Sequence, residues 1–266
     1  MKNLVRKFYF LFLFPAFLLS TFGSCQKEEA IDDIPLPLLV EVRERFASPE
    51  RIFMLKVQTL EDYPCENFLI LYSSHKPFGI RDIVFEGIEV PHICITNFAP
   101  ARADILLDDL VEGRNHIRFF INQDEMLTFF DLEEDVLNIS ISGKETPFLK
   151  FREKVIHRVP SNFIWGFTSQ KSNAEVDHHD DFFQLVLDHG AKAHELEPGN
   201  YGFFRMTEDK ELEIFRAEDI WLPNFYKGFV FSYDGEFDTL RQLADNFHET
   251  LIIEICSGEG DVYHNQ

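Results

Sequence analysis

The sequence is poor in basic residues, which limits the partners it can bind. It contains 25 Lys and Arg against 46 Asp and Glu, a formal charge of −21 at pH 7 over 266 residues. A surface this acidic repels nucleic acid, and it equally repels an anionic membrane surface. Acidity also keeps a protein soluble and is compatible with cationic or divalent partners. We therefore expect no nucleic-acid partner.

The apolar run near the N-terminus is too short to be a membrane span. It covers residues 8–19 and is interrupted by Pro15, whereas a spanning helix needs about 20 apolar residues. Basic side chains precede it, and small or polar residues follow it. This arrangement is typical of a secretory signal. We expect residues 1–24 to be a signal peptide.

Familiar catalytic motifs are missing from the sequence. It has no Gly-x-Ser-x-Gly, no His-Glu-x-x-His, no phosphate-binding glycine loop and no dinucleotide fingerprint. Adjacent acids such as Glu133-Glu134 could serve glycoside hydrolysis, but among 46 acids such pairs carry little information. The sequence predicts no cofactor, and it favours a binding or assembly role over catalysis.

Cys25 closes the leader behind the small pair Gly23-Ser24. This junction resembles the lipobox of bacterial lipoproteins, although Phe22 stands where that family usually has an aliphatic residue. The resemblance implies that the Cys25 thiol carries a diacylglycerol and that palmitate-type acyl chains anchor the protein. Each methylene buried in the membrane contributes about 0.8 kcal/mol to such anchoring. The alternative is an ordinary cleaved signal followed by a chance cysteine.

Two further resemblances concern where the protein is held. The residues after Cys25, Gln-Lys-Glu-Glu over 26–29, look like the signal that sends Bacteroidetes lipoproteins to the outer face of the outer membrane. Tyr-Pro-Cys-Glu-Asn at 63–67 and Pro-His-Ile-Cys at 91–94 resemble a group of Bacteroidetes lipoproteins over residues 57–142. That group brings no assigned activity. We expect a lipid-anchored, surface-facing outer-membrane protein, with periplasmic facing as the alternative.

The number and positions of the cysteines predict one disulfide. With Cys25 assigned to lipid, three cysteines remain in an oxidising compartment. Cys65 and Cys94 fall in the first half of the chain, 29 positions apart, and we predict that they pair. Cys256 lies in an apolar strand pattern, which favours a buried free thiol over a nucleophile.

The mature chain divides into a tether and two folded parts. The leader holds three basic and no acidic residues, so the remaining 242 residues carry a formal charge of −24. Residues 25–37 form an acidic, proline-containing tether. Residues 38–147 alternate strand patterns with turn residues, which predicts an antiparallel β-sandwich. The strand candidates there are residues 68–72, 83–85, 103–107, 117–121 and 137–142.

The pattern changes in the second part, residues 155–266. Apolar spacing and Gly190 predict a helix over 180–189, and residues 237–247 predict a second one. Strand patterns lie at residues 162–168, 201–206, 211–215, 228–233 and 251–256. This order predicts an α+β domain with both helices on one face, and the ferredoxin-like fold is one arrangement of this kind. Thirty phenylalanines spread over all segments predict an aromatic core.

One cluster of possible metal ligands occurs in the second part. His178, His179 and Asp180 stand together between Asp177 and Asp181, with His189, His194 and Glu195 downstream. Imidazole and carboxylate are zinc ligands, so the alternative function is a metal-dependent hydrolase centred on this cluster. Adjacent side chains seldom converge, however, and acids at a helix start are expected in any case. We favour a solvated helix cap and predict no metal site.

Trp221 and Tyr226 are the candidate ligand-binding residues. They lie in a loop-like stretch with Pro223 and Asn224, and exposed aromatic rings suit sugar rings or partner side chains. The alternative is that these rings fold back over the core. The sequence predicts a lipid-anchored binding or assembly module for an extracellular glycan or protein.

Overall fold

The structure is a computed structural model of the chain. It describes residues 30–31, 33–47, 50–95, 97–143, 148–171, 178–194, 196–215 and 226–265. Cys25, the leader and Trp221 lie outside these residues. Within them the protein is mostly β, as predicted, with two α-helices and one short 3₁₀ turn at Pro77–Gly79.

Eleven strands of the first part form one large sheet. Its order is β10-β2-β3-β6-β4-β5-β7-β8-β9-β11, and β1 pairs with β5 beside this path. The strands are β1 Ala30–Ile31, β2 Leu38–Ala47, β3 Glu50–Tyr63, β4 Leu69–His75, β5 Arg81–Glu89, β6 Ala99–Leu107, β7 Gly113–Ile121, β8 Asp124–Leu132, β9 Val136–Ile141, β10 Leu149–Phe151 and β11 Val155–His157.

The large sheet curls around one hydrophobic core. Strands β10 and β11 are only three residues apart in sequence, yet β10 pairs with β2 near one end of the sheet and β11 with β9 at the other. Phe151 of β10 meets Phe119 and Phe130 edge-on, with both pairs of ring centroids 6.1 Å apart. Buried residues alternate with more exposed ones along β6, β7 and β8, as expected of strands with one face on a core.

The second part is built on a five-stranded antiparallel sheet of order β13-β17-β12-β18-β19. Its strands are β12 Phe163–Gln170, β13 Lys192–Ala193, β17 Lys227–Ser232, β18 Leu251–Ser257 and β19 Val262–His264. Helix α1, His179–Asp188, follows β12, and helix α2, Phe237–Asp245, follows β17. A small sheet is formed by β14 Gly199–Asn200, β15 Phe204–Met206 and β16 Leu212–Ile214.

Both faces of the five-stranded sheet are covered. Ile164 packs with Phe182 of α1 and Leu240 of α2 in one cluster. Trp165, on the opposite face of β12, packs in a second cluster with Phe204 of the small sheet. The sheet is therefore the middle layer between helices and a small sheet. In the described part of the chain no helix is long and apolar enough to cross a membrane.

A buried ion cluster joins the two parts. Glu44 of β2 accepts two hydrogen bonds from the Arg51 guanidinium, at 2.8 and 2.6 Å, and one from Arg158 at 3.3 Å. The other Arg51 nitrogen donates to the carbonyl oxygens of Val159 (2.7 Å) and Gly258 (3.0 Å). Arg51 therefore connects the large sheet to the turn after β18.

The elements of the second part agree with several sequence predictions. Helix α1 begins at His179, one residue before the predicted start, and Gly190 just beyond it has a φ of +99°. The strand patterns at residues 201–206 and 211–215 form a hairpin, because β15 and β16 pair with Phe204 opposite Ile214. The large sheet also extends past residue 147, since β10 and β11 pair with it.

Candidate functional site

One concave surface among the described residues is a cleft of about 940 Å³ at one end of the five-stranded sheet. It lies where β12 begins and where the chain turns from β17 into α2 and from β18 into β19. Such a volume suits a small molecule or a short segment of a larger ligand. We call this surface the acidic cleft. Its side chains come from residues 161–164, 233–238, 241, 257 and 259–263.

The acidic cleft is strongly negative. Five carboxylates line it against a single guanidinium, Arg241, which leaves a formal charge of −4. Arg241 donates a hydrogen bond to Asp238 at 3.0 Å and lies over the Tyr263 ring at 5.4 Å. Clefts lined by one sign of charge concentrate ions of the opposite sign. The carboxylates belong to Asp234, Glu236, Asp238, Glu259 and Asp261.

Turn geometry positions several of these carboxylates. Asp261 accepts a hydrogen bond from the Ser257 hydroxyl at 3.0 Å, which orders the turn between β18 and β19. Asp238 lies in the first turn of α2, where the helix dipole stabilises negative charge. The loop before α2 is fixed by Tyr233, whose hydroxyl donates to the Glu236 carbonyl oxygen at 3.4 Å. Hydrogen bonds within the two turns therefore fix the backbone positions of these acidic residues.

The aromatic part of the cleft is formed by Tyr233, Phe237 and Tyr263, with Phe163 behind them. The Tyr263 hydroxyl donates to Asp245. Burial, helped by this carboxylate, raises the pKa of Tyr263 to about 12, so the phenol stays neutral at physiological pH. Neutral aromatic surface beside carboxylates offers apolar contact together with hydrogen-bond acceptors.

A buried carboxylic acid lies on β18 beside a thiol and an imidazole. Glu254 is 2 % exposed, and burial raises its pKa to about 7. Oε2 lies 3.4 Å from Nδ1 of His264, the residue opposite it on β19. Burial, followed by the charge of Lys171, lowers the pKa of His264. At neutral pH Glu254 is therefore partly protonated.

Cys256 lies two residues from Glu254 and points to the same face of the sheet. Its sulfur is 4.0 Å from Oε1 of Glu254. It is a buried free thiol, as the sequence predicted, and burial followed by the negative charge of Glu254 holds its pKa well above the ordinary value. A thiol in this state is a poor nucleophile.

The structure separates the histidines of the predicted metal cluster. His179 is buried rather than solvated, and its Nδ1 is hydrogen-bonded to Oγ1 of Thr168 at 2.5 Å. The neighbouring His178 contacts Asp181 at 3.2 Å instead. Consecutive side chains at the start of α1 point in different directions, so one histidine packs on β12 and the other stays on the helix surface.

His194 is anchored elsewhere. Its ring meets Phe163 edge-on at 4.8 Å, whereas His179 contacts Thr168, five residues further along β12. Five strand residues span roughly 16 Å. Asp180 is exposed and lies 3.6 Å from Nζ of Lys227, while Asp177 and Glu195 fall outside the described residues. Among those that are described, no group of three or more His, Cys, Asp or Glu side chains could hold a metal ion.

Tyr226 is half-buried. Its hydroxyl accepts a hydrogen bond from the Ile214 backbone N–H at 3.3 Å, and its ring lies 6.0 Å from that of Phe167. These contacts hold the side chain against the small sheet. Ligand binding by Trp221 and Tyr226 stays a prediction, since Trp221 lies outside the described residues, as does Cys25.

The predicted disulfide is present between Cys65 and Cys94. The other motif residues surround it. The Asn67 side-chain amide donates to the Ile93 carbonyl oxygen at 2.7 Å and accepts from the Ile95 N–H at 3.2 Å. Tyr63 stacks on Phe68 with the ring centroids 4.7 Å apart. The motif residues therefore tie two turns of the large sheet together.

Sequence reasoning missed the acidic cleft. Its acids come from two segments, residues 234–238 and 259–261, which are separated in the sequence by α2 and β18, and each resembles any other acid of this chain. The one available signal was that Asp234, Glu236 and Asp238 alternate across the start of a predicted helix. Comparison of the chain with protein families, curated proteins and solved structures found no match.

Proposed function

We propose that this protein is a lipid-anchored cell-surface binding module whose acidic cleft takes a cationic segment of an extracellular ligand. The observation that carries the proposal is the excess of five carboxylates over one guanidinium in a cleft of about 940 Å³. The predicted lipid at Cys25 and the predicted outer-membrane, outward-facing address support a ligand outside the cell. A basic protein segment or an amino sugar has the required charge.

We also propose a specific fold for each of the two parts. The order β13-β17-β12-β18, with helices after β12 and β17, supports a ferredoxin-like second part extended by β19. Contact of Phe151 with Phe119 and Phe130 across the core supports a sandwich-like first part. In such an arrangement the first part carries the second and the second presents the ligand site.

A titration with tetralysine tests the cleft. We expect its affinity to fall at least threefold in the double variant Glu236→Gln, Glu259→Gln, because each exposed ion pair contributes about 0.2 to 1 kcal/mol, and to fall further at high salt. The matched control is Glu133→Gln, Glu134→Gln, which removes the same charge from the large sheet. Equal losses in both double variants would mean attraction to the whole acidic surface and would contradict the proposal, as would an absence of binding.

The anchor is tested separately by Cys25→Ser. We expect this variant to leave the membrane fraction and to keep its tetralysine affinity. Retention in the membrane fraction would contradict lipid attachment at Cys25. The metal-dependent hydrolase centred on His178, His179 and Asp180 stays a prediction, and metal analysis of the purified protein is its test.

A further inference from the structure

A loop beside the Cys65–Cys94 disulfide exposes large apolar side chains. We define the disulfide loop as residues 91–95, 97 and 98. Ile93 is 80 % exposed and Phe98 is 74 % exposed, and Ile95 is more than half exposed. Side chains of this size are usually buried, and several together on one loop mark an interaction site.

The disulfide loop is held in this exposed form. Besides the disulfide, it is fixed by the Asn67 hydrogen bonds to Ile93 and Ile95 and by the Glu66 N–H, which donates to the Ile95 carbonyl oxygen at 3.1 Å. A loop tied at these points loses little conformational freedom when a surface covers it. Its apolar side chains are preorganised to meet something outside the protein.

The disulfide loop lies close to the point from which the chain leads back to Cys25. Ala30 of β1 pairs with Glu89 at the end of β5, and Glu89 also pairs with Leu69 at the start of β4. The loop follows β5 directly. Cys25 is five residues before Ala30, a reach of at most about 18 Å, and Ile93 is four residues after Glu89, at most about 14 Å.

We propose that the disulfide loop inserts its apolar side chains into the lipid leaflet that carries the anchor. The inference rests on the lipid attachment included in the proposed function. A short tether raises the effective concentration of the loop at the bilayer to the millimolar range, so weak apolar contacts suffice. Acidic side chains near the loop would be repelled by an anionic leaflet, so a zwitterionic leaflet is the surface that fits. These acids are Glu61, Asp62, Glu66 and Glu89.

An equally exposed phenylalanine provides the matched control. Phe78, in the 3₁₀ turn between β4 and β5, is fully exposed. It lies at the opposite end of the same two strands from Leu69 and Glu89, and therefore away from the tether. Apolar exposure alone would bring Phe78 and the disulfide loop to a bilayer equally, whereas the proposed orientation brings only the loop.

The test uses tryptophan substitutions on the mature chain from Gln26, which keeps every described residue. An N-terminal hexahistidine and nickel-chelating lipid replace Cys25, so the result does not depend on natural lipidation. The vesicles are phosphatidylcholine with brominated acyl chains, which quench tryptophan only at bilayer depth. We expect Ile93→Trp and Phe98→Trp to lose at least half of their added emission, and Phe78→Trp to lose almost none.

Three outcomes would overturn the inference. In the first, neither loop variant is quenched. In the second, Phe78→Trp is quenched as much as the loop variants, which indicates unspecific adhesion. In the third, the loop tryptophans change emission with protein concentration in the absence of vesicles, which shows a second copy of the chain on the loop. Failure of Cys25→Ser to release the protein would instead contradict the anchor, and the two failures are distinguishable.

Discussion

The two parts of the molecule bury charge in different ways. In the large sheet Glu44 is paired with Arg51 and Arg158, and Asp82 accepts two 2.7 Å hydrogen bonds from Arg118. In the five-stranded sheet the buried carboxyl of Glu254 has an imidazole and a thiol as its neighbours. A paired carboxylate is a structural element, whereas a carboxyl that is only desolvated has its pKa moved towards neutrality.

This difference gives the second part a buried carboxyl whose charge changes near neutral pH. The large sheet also contains the disulfide, and the buried residues of its core cluster that the structure describes are apolar side chains together with the bonded Cys65. The second part contains the acidic cleft, a free thiol and a carboxyl that titrates near pH 7. Stability measurements on substituted proteins can therefore test this difference between the two parts.

The largest effect is expected from Glu44→Gln. Removing this carboxylate leaves the guanidinium groups of Arg51 and Arg158 without their shared anion, and breaking a buried ion pair costs about 3 to 5 kcal/mol. Chemical denaturation at pH 7 measures the loss. The control Asp131→Asn removes an exposed partner of Arg114 and should cost less than about 1 kcal/mol. If the two variants were equally stable, Glu44 would not be a structural ion pair.

The next effect concerns the disulfide. Replacing Cys65 and Cys94 with Ser frees a 29-residue loop in the unfolded chain, which corresponds to about 3 to 4 kcal/mol of stability in the chain-entropy model. The loss should be seen in denaturation of the purified protein. Mild reduction of the unsubstituted protein is the control, since it should reproduce the loss. The disulfide lies in the first part, so a loss of stability confined to the five-stranded sheet of the second part would contradict the division into two parts.

The smallest effect depends on pH and involves Glu254→Gln. The folded protein holds a proton on Glu254 that the unfolded chain releases above its ordinary pKa of 4.5, so its stability falls as pH rises from 4.5 to about 7. The variant avoids this cost. We expect it to match the parent protein at pH 4.5 and to exceed it by about 2 to 3 kcal/mol at pH 8.

The exposed Glu259→Gln on the neighbouring turn is the control for that measurement. It should show no difference from the parent protein that grows with pH. A Glu254→Gln variant that is equally less stable at both pH values would mean that the carboxyl is needed for a hydrogen bond rather than penalised for its charge.

Local patterns predicted the local elements of the second part. Helix α1 follows from apolar spacing and Gly190, and strands β15 and β16 follow from the strand patterns at residues 201–206 and 211–215, all of which act within a few residues. The disulfide followed from counting cysteines in an oxidising compartment. These predictions succeeded because each depends on a constraint that is visible within a short stretch or in the composition.

Features that depend on distant parts of the chain were not predictable. The return of β10 and β11 to opposite ends of the large sheet depends on pairing with distant strands, as when Leu149 pairs with Leu38, 111 residues earlier. The burial of His179 depends on Thr168 across from it, and a helix-start pattern does not reveal that contact. The acidic cleft needs three turns brought together by the sheet.

Strand β3 separates the acidic cleft from the disulfide loop. It spans 14 residues, and from Tyr63, near the disulfide loop, to Arg51, which contacts Gly258 beside the acidic cleft, it extends roughly 40 Å. Electrostatic fields decay over about 8 Å at physiological ionic strength. With the disulfide loop at the bilayer, the cleft is several screening lengths from the lipid headgroups. Ligand capture would then be insensitive to the lipid composition of the membrane beneath.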